Sequence, residues 1–483
     1  MSRAAHAELL KRLLTERIAI IDGAMGTTIR SYGMKEADIR GDRFENSKKD
    51  LLNNGDLFSL TQPKMICDIH RRFLEAGAHI IETNTFSATS IGQSEFFVDD
   101  PREHGGRKDP AFYQKVVDDK FLGDLAWEIN ETSARQCREW ADRIANQDGK
   151  PRFVAGAIGP LTVSLSNSPD ADDAGFRVCT FDQVKAAYIQ QVRALIAGGS
   201  DFLLVETIFD SLNAKAALVA IQEVFEQDKV HLPISISAAV GRGGETMISA
   251  QTIEAYWNAV KHVKPLSVGL NCSLGPDLMR PFLAELAEKS EAFVSCYPNA
   301  GLPNPLSPTG FDLKPEDMGR FLGEFAQGGL INIAGGCCGN TPEHIAAIAK
   351  ALEGRHPREV AQSLKQVTRS FPAAQTAKPG GLPAISRGLR SEATTPPEAA
   401  PQTERPRQGS QPATPSGSDA STAPTGGVAA LNPRPMAANP PGSSDSPTPV
   451  EPLPLRLSGS QPFTQQIGQF MMIGERTNVA GSP

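Results

Sequence analysis

The sequence has no excess of basic residues: 48 Lys and Arg stand against 55 Asp and Glu, for a formal net charge of −7. Because nucleic-acid-binding proteins carry clustered positive charge, this balance argues against a nucleic-acid partner. No apolar run approaches the roughly 18 residues that span a membrane. Residues 1–20 mix Arg, Lys and Glu with Leu at helical spacing, unlike the uninterrupted apolar core of a signal peptide. We therefore expect a cytoplasmic protein without a membrane or nucleic-acid partner.

The cysteines are few and odd in number, which disfavours a disulfide framework. Seven cysteines occur in 483 residues, and large chains without a secretion signal rarely depend on disulfides. We therefore expect thiols that are free, metal-bound or catalytic. They are Cys67, Cys137, Cys179, Cys272, Cys296, Cys337 and Cys338.

Between residues 18 and 355, short apolar runs alternate with amphipathic stretches. Each run is nearly continuously apolar, which is typical of parallel strands buried on both faces. Eight such runs, each followed by a helical stretch, predict an α/β fold of the (β/α)8 TIM barrel class. A doubly wound open sheet is the alternative, but no GxGxxG follows the first run. The runs are 18–24, 79–86, 152–160, 201–208, 233–240, 265–273, 292–300 and 330–339.

Several of the intervening stretches carry helix boundary signals, and longer insertions follow the first two strands. Segment 63–77 begins with a proline and ends at a glycine, as helices often do. Segment 181–199 follows Thr180, with Gln183 in the position of a capping box. Segment 341–354 begins with Thr-Pro and ends at a glycine. We predict a helix in each segment.

Aromatic residues are missing between Phe371 and Phe463, a segment that holds about half of the chain's 37 prolines. Such a composition cannot bury enough apolar surface to offset chain entropy. We predict a barrel domain over residues 1–362 and a disordered Pro/Ser/Ala-rich linker over 363–462. Residues 463–483 return to an apolar strand and a glycine-containing loop, which we interpret as the truncated start of a further domain.

Three cysteines stand at predicted carboxyl ends of strands, where TIM barrels carry their chemistry. Cys272 follows the sixth strand, and the vicinal pair Cys337 and Cys338 follows the eighth. Glycines on both sides of the pair supply the backbone freedom that two adjacent ligands of one metal need. Three thiolates with a vacant fourth position predict a catalytic zinc site. A vicinal disulfide or simple packing of small side chains are the alternatives.

Other residues offer no fourth protein ligand at a recognisable spacing. We expect His344 in the first turn of the last helix, pointing outward, and we expect Asn271 or water in the fourth position when substrate is absent. The remaining cysteines are predicted to be small buried hydrophobic residues. They are Cys67, Cys137, Cys179 and Cys296.

Acidic and polar residues also follow the predicted strands. Asp22 lies at the carboxyl end of the first strand, where the backbone of residues 23–26 continues. Residues 82–85 end the second strand, and Glu206, Thr207 and Asp210 end the fourth. Backbone N–H groups can hold a carboxylate, and carboxylates can hold an ammonium group. A structural hydrogen bond is the alternative for each residue. Together with a thiol-binding metal, these groups outline a thiol amino acid as the ligand.

Five motifs, DGAMGT, ETNTF, VET, GLNC and GGCCG, occur in this order across about residues 15–355. In these motifs the chain resembles the homocysteine S-methyltransferase family. The resemblance implies a (β/α)8 barrel that binds Zn²⁺ through the three strand-end cysteines named above. It places homocysteine contacts on Asp22, on the backbone that follows Asp22, and on Glu206. We add Thr85 and Asn271, which also lie at strand ends. The candidate contacts are Asp22, Gly23, Ala24, Met25, Thr85, Glu206 and Asn271.

The family includes stand-alone enzymes that use betaine or S-methylmethionine, and the N-terminal module of cobalamin-dependent methionine synthase. The segment IGERTNVAGS resembles the start of the pterin-binding module of the latter, with Asn478 at a pterin-contact position. The resemblance implies an enzyme fragment in which zinc activates homocysteine as a thiolate, methylcobalamin methylates it to methionine, and methyltetrahydrofolate is the ultimate donor. Cobalamin- and folate-binding modules would be its partners. The alternatives are a cobalamin-independent homocysteine methyltransferase and a non-catalytic zinc-binding barrel.

Overall fold

A computed structural model describes residues 3–307 and 309–360 of the chain. The predicted linker over 363–462 and the predicted pterin-binding segment over 463–483, with Asn478, lie outside the described residues. Among the helices that are described, none combines the length and the apolar character needed to cross a bilayer.

Eight parallel strands form a barrel, and each predicted apolar run contains one of them. The strands are β1 (Ala19–Ile20), β2 (Ile80–Glu82), β3 (Phe153–Ile158), β4 (Phe202–Ile208), β5 (Ile234–Ala238), β6 (Ser267–Asn271), β7 (Phe293–Tyr297) and β8 (Ile333–Ala334). Their order is β1-β8-β7-β6-β5-β4-β3-β2. The two ends of this order meet where Ile21 bridges Ile80 and where the His79 N–H donates to the Ile20 carbonyl at 2.7 Å. The predicted (β/α)8 barrel is therefore confirmed.

Helices surround the barrel, with additional ones after the first two strands. Four α-helices lie between β1 and β2 and three between β2 and β3, whereas one follows each later strand. The predicted insertions are thus confirmed. The helices are α1 (Arg3–Glu16), α2 (Met25–Ser31), α3 (Glu36–Arg40), α4 (Phe58–Thr61), α5 (Pro63–Glu75), α6 (Ser90–Phe97), α7 (Pro110–Asp118), α8 (Lys120–Asp148), α9 (Phe181–Ala197), α10 (Ser211–Asp228), α11 (Ile253–Val260), α12 (Pro276–Lys289), α13 (Pro315–Gln327) and α14 (Pro342–Leu352).

The three predicted helices begin where the sequence signals place them. At the start of α9, the Thr180 hydroxyl accepts a hydrogen bond from the Gln183 N–H at 3.3 Å. In return, the Gln183 side-chain oxygen accepts one from the Thr180 N–H at 2.9 Å. This reciprocal pair is the predicted capping box, and it satisfies two donors that a helix N-terminus would otherwise leave unpaired.

The predicted outward orientation of His344 is wrong. The ring is buried, and its Nδ1 lies 3.2 Å from the Thr341 nitrogen, which donates to it. Its Nε2 lies 3.2 Å from the Leu313 carbonyl oxygen. His344 thus takes the capping position three residues after Thr341 and ties α14 to the loop before α13. These two contacts hold the ring inward, and burial lowers its pKa.

Inside the barrel, side chains change from apolar to polar toward the carboxyl ends of the strands. Phe153 and Phe202, at the amino ends of β3 and β4, are fully buried in one interior cluster. Glu82, Glu206 and Tyr297 lie on β2, β4 and β7 near the opposite ends. Because the carboxyl ends of all eight strands meet at one face, the polar layer lies beneath the mouth of the barrel.

Candidate metal and substrate site

Three cysteine sulfurs meet at the carboxyl-terminal face of the barrel. Cys272 follows β6, and Cys337 and Cys338 lie in the loop after β8. The Cys338 sulfur is 3.7 Å from that of Cys272 and 3.8 Å from that of Cys337. All three side chains are buried, and their sulfurs lie within 4.8 Å of one another. The structure thus brings together the cysteines that the sequence predicts as ligands of one metal, and we call them the sulfur triangle.

The dimensions of the sulfur triangle fit tetrahedral zinc. With Zn–S bonds of about 2.3 Å, tetrahedral angles separate two sulfurs by about 3.8 Å. The two separations from the Cys338 sulfur, 3.7 and 3.8 Å, match this value, and the third, between the sulfurs of Cys272 and Cys337, is at most 4.8 Å. Among the residues that the structure describes, no other three His, Cys, Asp or Glu side chains converge in this way. Three protein thiolates would leave one tetrahedral position for another ligand.

Cys272 reaches the vicinal pair because the chain turns sharply after β6. Cys272 and Ser273 have φ angles of 59° and 56°, a left-handed region that side-chain-bearing residues rarely adopt. The Ser273 hydroxyl donates to the Val240 carbonyl at 2.7 Å, and the Leu274 N–H donates to the Cys272 carbonyl at 2.6 Å. These hydrogen bonds hold a strained turn of the kind that concentrates at functional sites.

The vicinal pair lies in a loop that requires glycine at two positions. A Cβ at Gly336 would overlap the side chain of Asn340, and Gly339, with φ 80°, would place one 2.5 Å from an aromatic ring. The Asn340 amide donates to the carbonyls of Cys337 and Pro298, each at 3.0 Å. The same side chain therefore fills the space beside Gly336 and fastens the loop to the end of β7.

Asn299, in the loop after β7, is a site residue that the sequence motifs do not single out. Its side-chain oxygen accepts a hydrogen bond from the Cys338 N–H at 3.1 Å. Hydrogen bonds from the thiols of Cys337 and Cys338, with smaller contributions from the Ser273 backbone and the Asn299 side chain, hold the pKa of Cys272 well below its usual range. Asn299 therefore contacts two corners of the sulfur triangle. Asn299 could have been predicted from its position, because it follows β7, which lies between the two strands that precede the cysteines.

Asp22 lies immediately after β1, and its carboxylate is buried. Both carboxylate oxygens accept from the Glu82 N–H, at 3.2 and 3.1 Å. The Asp22 carbonyl accepts a hydrogen bond from the Gly336 N–H at 3.4 Å. Asp22 therefore connects the ends of β1 and β2 with the loop that carries the vicinal cysteines.

The backbone after Asp22 leads directly into α2. Gly23 and Ala24 precede this helix, which begins at Met25. The N–H groups of a first helical turn have no partner within the helix, and they carry partial positive charge. Thr27, in the same turn, accepts a hydrogen bond from the Gly339 N–H at 3.0 Å. The candidate carboxylate-binding backbone is thereby joined to the cysteine loop.

Two carboxylates act on the Tyr297 hydroxyl inside the barrel. Burial raises the pKa of Tyr297 well above its usual value, and the charges of Glu206 and Glu82 raise it further. Cys337 contributes to the same shift. Glu82, Glu206 and Tyr297 lie near the carboxyl ends of their strands, and Tyr297 belongs to the interior cluster that contains the three cysteines, so these groups share the region beneath the barrel mouth.

Three other candidate residues, Thr85, Asn271 and Asp210, form hydrogen bonds within the strand ends and loops around the barrel mouth. The Thr85 hydroxyl donates to the Ala157 carbonyl at 2.7 Å. The Asn271 side chain accepts from the Thr207 N–H at 3.0 Å and donates to the Thr207 hydroxyl at 2.7 Å, which holds Thr207 at a φ of 53°. Asp210 caps α10 and accepts from two serine hydroxyls of the loop after β3. None of these contacts reaches the sulfurs.

The remaining cysteines lie apart from the sulfur triangle as free thiols. Cys137, Cys179 and Cys296 are buried as predicted, whereas Cys67 is only partly buried, contrary to the prediction. The Cys137 sulfur lies 3.3 Å from Nε2 of His70, which is equally buried. Burial raises the pKa of Cys137 and lowers that of His70 to about 4, so both groups stay neutral.

A family profile described as homocysteine S-methyltransferase matches residues 19–352. The chain belongs to the homocysteine S-methyltransferase family. It is similar to the homocysteine methyltransferase MmuM from Escherichia coli in its oxidised form, at 19% identity and a TM-score of 0.51, over 72% of this chain and 99% of that one. The metallated form of MmuM gives 18% identity and a TM-score of 0.50, over 71% and 98%. At these identities the likeness establishes a shared fold.

The match to the homocysteine S-methyltransferase family covers the entire barrel. It begins at β1 and ends at the last residue of α14. The matched segment therefore contains every candidate zinc and homocysteine contact described above, and it also contains Asn299 and Tyr297.

Proposed function

We propose that this chain binds Zn²⁺ through Cys272, Cys337 and Cys338 and activates homocysteine for methylation to methionine by methylcobalamin. The observation that carries the proposal is the sulfur triangle, at separations suited to one tetrahedral ion, in a homocysteine S-methyltransferase family member. Zinc, when bound, lowers the pKa of a coordinated thiol so that the thiolate is available near neutral pH. Three thiolate ligands also favour a soft ligand such as sulfur in the remaining position.

The residues around the sulfur triangle would place the rest of the amino acid. The carboxylates of Glu206, which is buried, and of Glu82, which is partly buried, suit an ammonium group, and both lie with Tyr297 in the polar layer beneath the barrel mouth. The backbone N–H groups of residues 23–26, which follow Asp22, suit a carboxylate because they can donate hydrogen bonds to it. With these ends held, the substrate sulfur would be directed to the sulfur triangle and exposed to a donor at the barrel mouth.

The choice of methyl donor rests on the segment IGERTNVAGS and its resemblance to the start of a pterin-binding module. Methylcobalamin would supply the methyl group: as the sulfur–methyl bond formed, the cobalt–carbon bond would break and its electron pair would stay on the corrinoid. Methylcobalamin and methyltetrahydrofolate would be bound by other modules, whereas this chain would hold homocysteine.

Homocysteine titration of the zinc-loaded chain tests thiol activation. Binding should release about one proton per zinc, because the substrate arrives as a thiol and binds as a thiolate. The Cys296→Ala variant is the matched control, since this buried cysteine lies on β7 but outside the sulfur triangle. It should release the same number of protons. Binding without proton release from either protein would refute thiol activation.

Single-turnover assays identify the donor. The zinc-loaded chain should form methionine from homocysteine and free methylcobalamin, and it should form none from S-methylmethionine or betaine. Methionine from either of these donors without a corrinoid would replace the cobalamin proposal by a cobalamin-independent one and leave thiol activation intact.

A further inference from the structure

Among the residues that the structure describes, the hydroxyls of Tyr297 and Ser237 inside the barrel are buried without a hydrogen-bond partner. Tyr297 ends β7 and Ser237 lies on β5, and their exposed fractions are 2% and 0%. Within residues 3–307 and 309–360, neither hydroxyl reaches a partner with hydrogen-bond geometry, although Ser237 is close enough to influence the pKa of Tyr297. A buried polar group without a partner is costly, and such groups often mark a place for a ligand or water.

The backbone of Tyr297 places its side chain beside the sulfur triangle. Tyr297 pairs with Asn271 in the register of β6 and β7, and its carbonyl accepts from the Cys272 N–H at 3.3 Å. The side chain belongs to the interior cluster that contains the three cysteines. Its ring therefore lies in the barrel interior, in the same cluster as the predicted zinc ligands.

Charge distinguishes Tyr297 from another tyrosine whose hydroxyl lacks a partner. Tyr256, on α11, is fully buried, and its pKa is raised by burial alone. Tyr297 instead lies in the same polar layer as Glu206 and Glu82, near the carboxyl ends of β7, β4 and β2, and their charges contribute to the raised pKa of its hydroxyl. A neutral phenol can accept one hydrogen bond and donate another at the same time. In a layer that holds two anions, the ligand best suited to such a group is a cation with several N–H donors.

We propose that the Tyr297 hydroxyl accepts a hydrogen bond from the ammonium group of the bound amino acid, as the third acceptor beside Glu82 and Glu206. The inference rests on the proposed function, since it assumes that a thiol amino acid occupies the barrel mouth. An ammonium group has three N–H donors, and two carboxylates with one phenol would satisfy all of them. Tyr297 thereby becomes a specificity residue that favours thiols with an α-amino group over thiols without one.

The test compares two ligands on the zinc-loaded full chain by calorimetry: homocysteine and 4-mercaptobutyrate, which is homocysteine without its amino group. In Tyr297→Phe, homocysteine affinity should fall roughly tenfold, the size expected for one hydrogen bond to a charged group. The affinity for 4-mercaptobutyrate should change by less than about twofold, because this ligand has no N–H to donate. The preference for the amino acid should therefore fall roughly tenfold.

Tyr256→Phe is the matched control, because it removes another buried hydroxyl that has no hydrogen-bond partner among the described residues and whose pKa is raised by burial alone. It should leave both affinities unchanged. Tyr297→Phe should also keep the wild-type urea midpoint, since the hydroxyl it removes makes no hydrogen bond within residues 3–307 and 309–360.

The outcomes separate the two proposals. If the wild-type chain binds homocysteine but Tyr297→Phe keeps the same preference between the ligands, the role of Tyr297 is refuted. An equal loss of both affinities would also refute it, because that result indicates a general structural effect. If the wild-type chain binds neither thiol, the proposed function itself fails.

Discussion

Replacing Gly336 by alanine should disrupt the loop that carries the vicinal cysteines. The added Cβ would overlap Cβ and Cγ of Asn340 and would lie 2.5 Å from its Oδ1. These atoms cannot swing aside as the far end of a long side chain could, so Asn340 would have to move. Its amide donates at 3.0 Å to the carbonyls of Pro298 and Cys337. Both hydrogen bonds would therefore be broken or stretched.

The expected cost follows from these contacts. Both carbonyls keep a backbone N–H donor, so each lost side-chain hydrogen bond costs roughly 1 kcal/mol, and two are affected. Forcing extra volume into a packed region adds roughly 1–3 kcal/mol. With the lower end of the packing range, Gly336→Ala should lower the free energy of unfolding by roughly 3 kcal/mol. Because about 1.4 kcal/mol equals a factor of ten, even half of this cost borne by the metal site would weaken zinc binding about tenfold.

Urea unfolding and zinc competition with a chelator measure the two effects. Gly323→Ala, on α13, is the matched control. Its added Cβ would lie 3.8 Å from the Cβ of Ala351, which is an ordinary van der Waals contact, and alanine is a better helix former than glycine. It should retain wild-type zinc affinity and stability or gain slightly. The double variant Gly336→Ala/Asn340→Ala should be less unstable than the two single effects added. A Gly336→Ala protein with wild-type stability and zinc affinity would refute the reasoning.

Three further predictions concern other parts of the barrel. Asn299→Ala should raise the pKa of Cys272 and weaken zinc binding roughly 10–100-fold, because Asn299 contacts two of the predicted zinc ligands. An unchanged zinc affinity in competition with a chelator would contradict this prediction. Burial lowers the pKa of His70 to about 4. Below about pH 6.5 this histidine therefore binds a proton in the unfolded state, whereas in the folded state it stays neutral until about pH 4. Stability should therefore fall between about pH 6.5 and 4, by up to roughly 3 kcal/mol, and His70→Leu should flatten the pH dependence of the urea midpoint; an equally steep dependence in the variant would count against it. Asn271→Ala should cost roughly 2–3 kcal/mol in urea unfolding because Thr207 loses both bonds that hold its positive φ; wild-type stability would show that Thr207 needs no such support.

The barrel could be predicted because parallel strands buried on both faces are apolar along their length. The predicted runs nevertheless extend beyond the strands, most clearly for run 330–339, of which only Ile333–Ala334 is a strand. Pairing stops early there because the glycine-rich end of the run turns to form the cysteine loop. The convergence of the three cysteines followed from the same topology, since strand ends of a closed barrel meet at one face.

What the sequence could not supply depends on contacts between distant strands. The positive φ of Cys272 has no signal in its residue type, because side-chain-bearing residues rarely adopt it. Asn299 acts through Cys338, 39 residues away, and no local pattern links them. Asn271 has the right residue type for a ligand, yet its amide is used by Thr207, 64 residues earlier. Helical periodicity does not predict the inward position of His344, because this position depends on the hydrogen bond from the Thr341 N–H and on the contact with the Leu313 carbonyl.

The most direct measurement is zinc content and zinc X-ray absorption of the full chain, with and without homocysteine. The chain should contain one zinc, and the spectrum should show three Zn–S bonds of about 2.3 Å. The number of Zn–S bonds should rise to four when homocysteine is added. Cys338→Ala should lose the metal, whereas Cys296→Ala should retain it with an unchanged spectrum. Fewer than three sulfur ligands in the wild-type protein, or full zinc content in Cys338→Ala, would contradict the assignment of the sulfur triangle as the metal site.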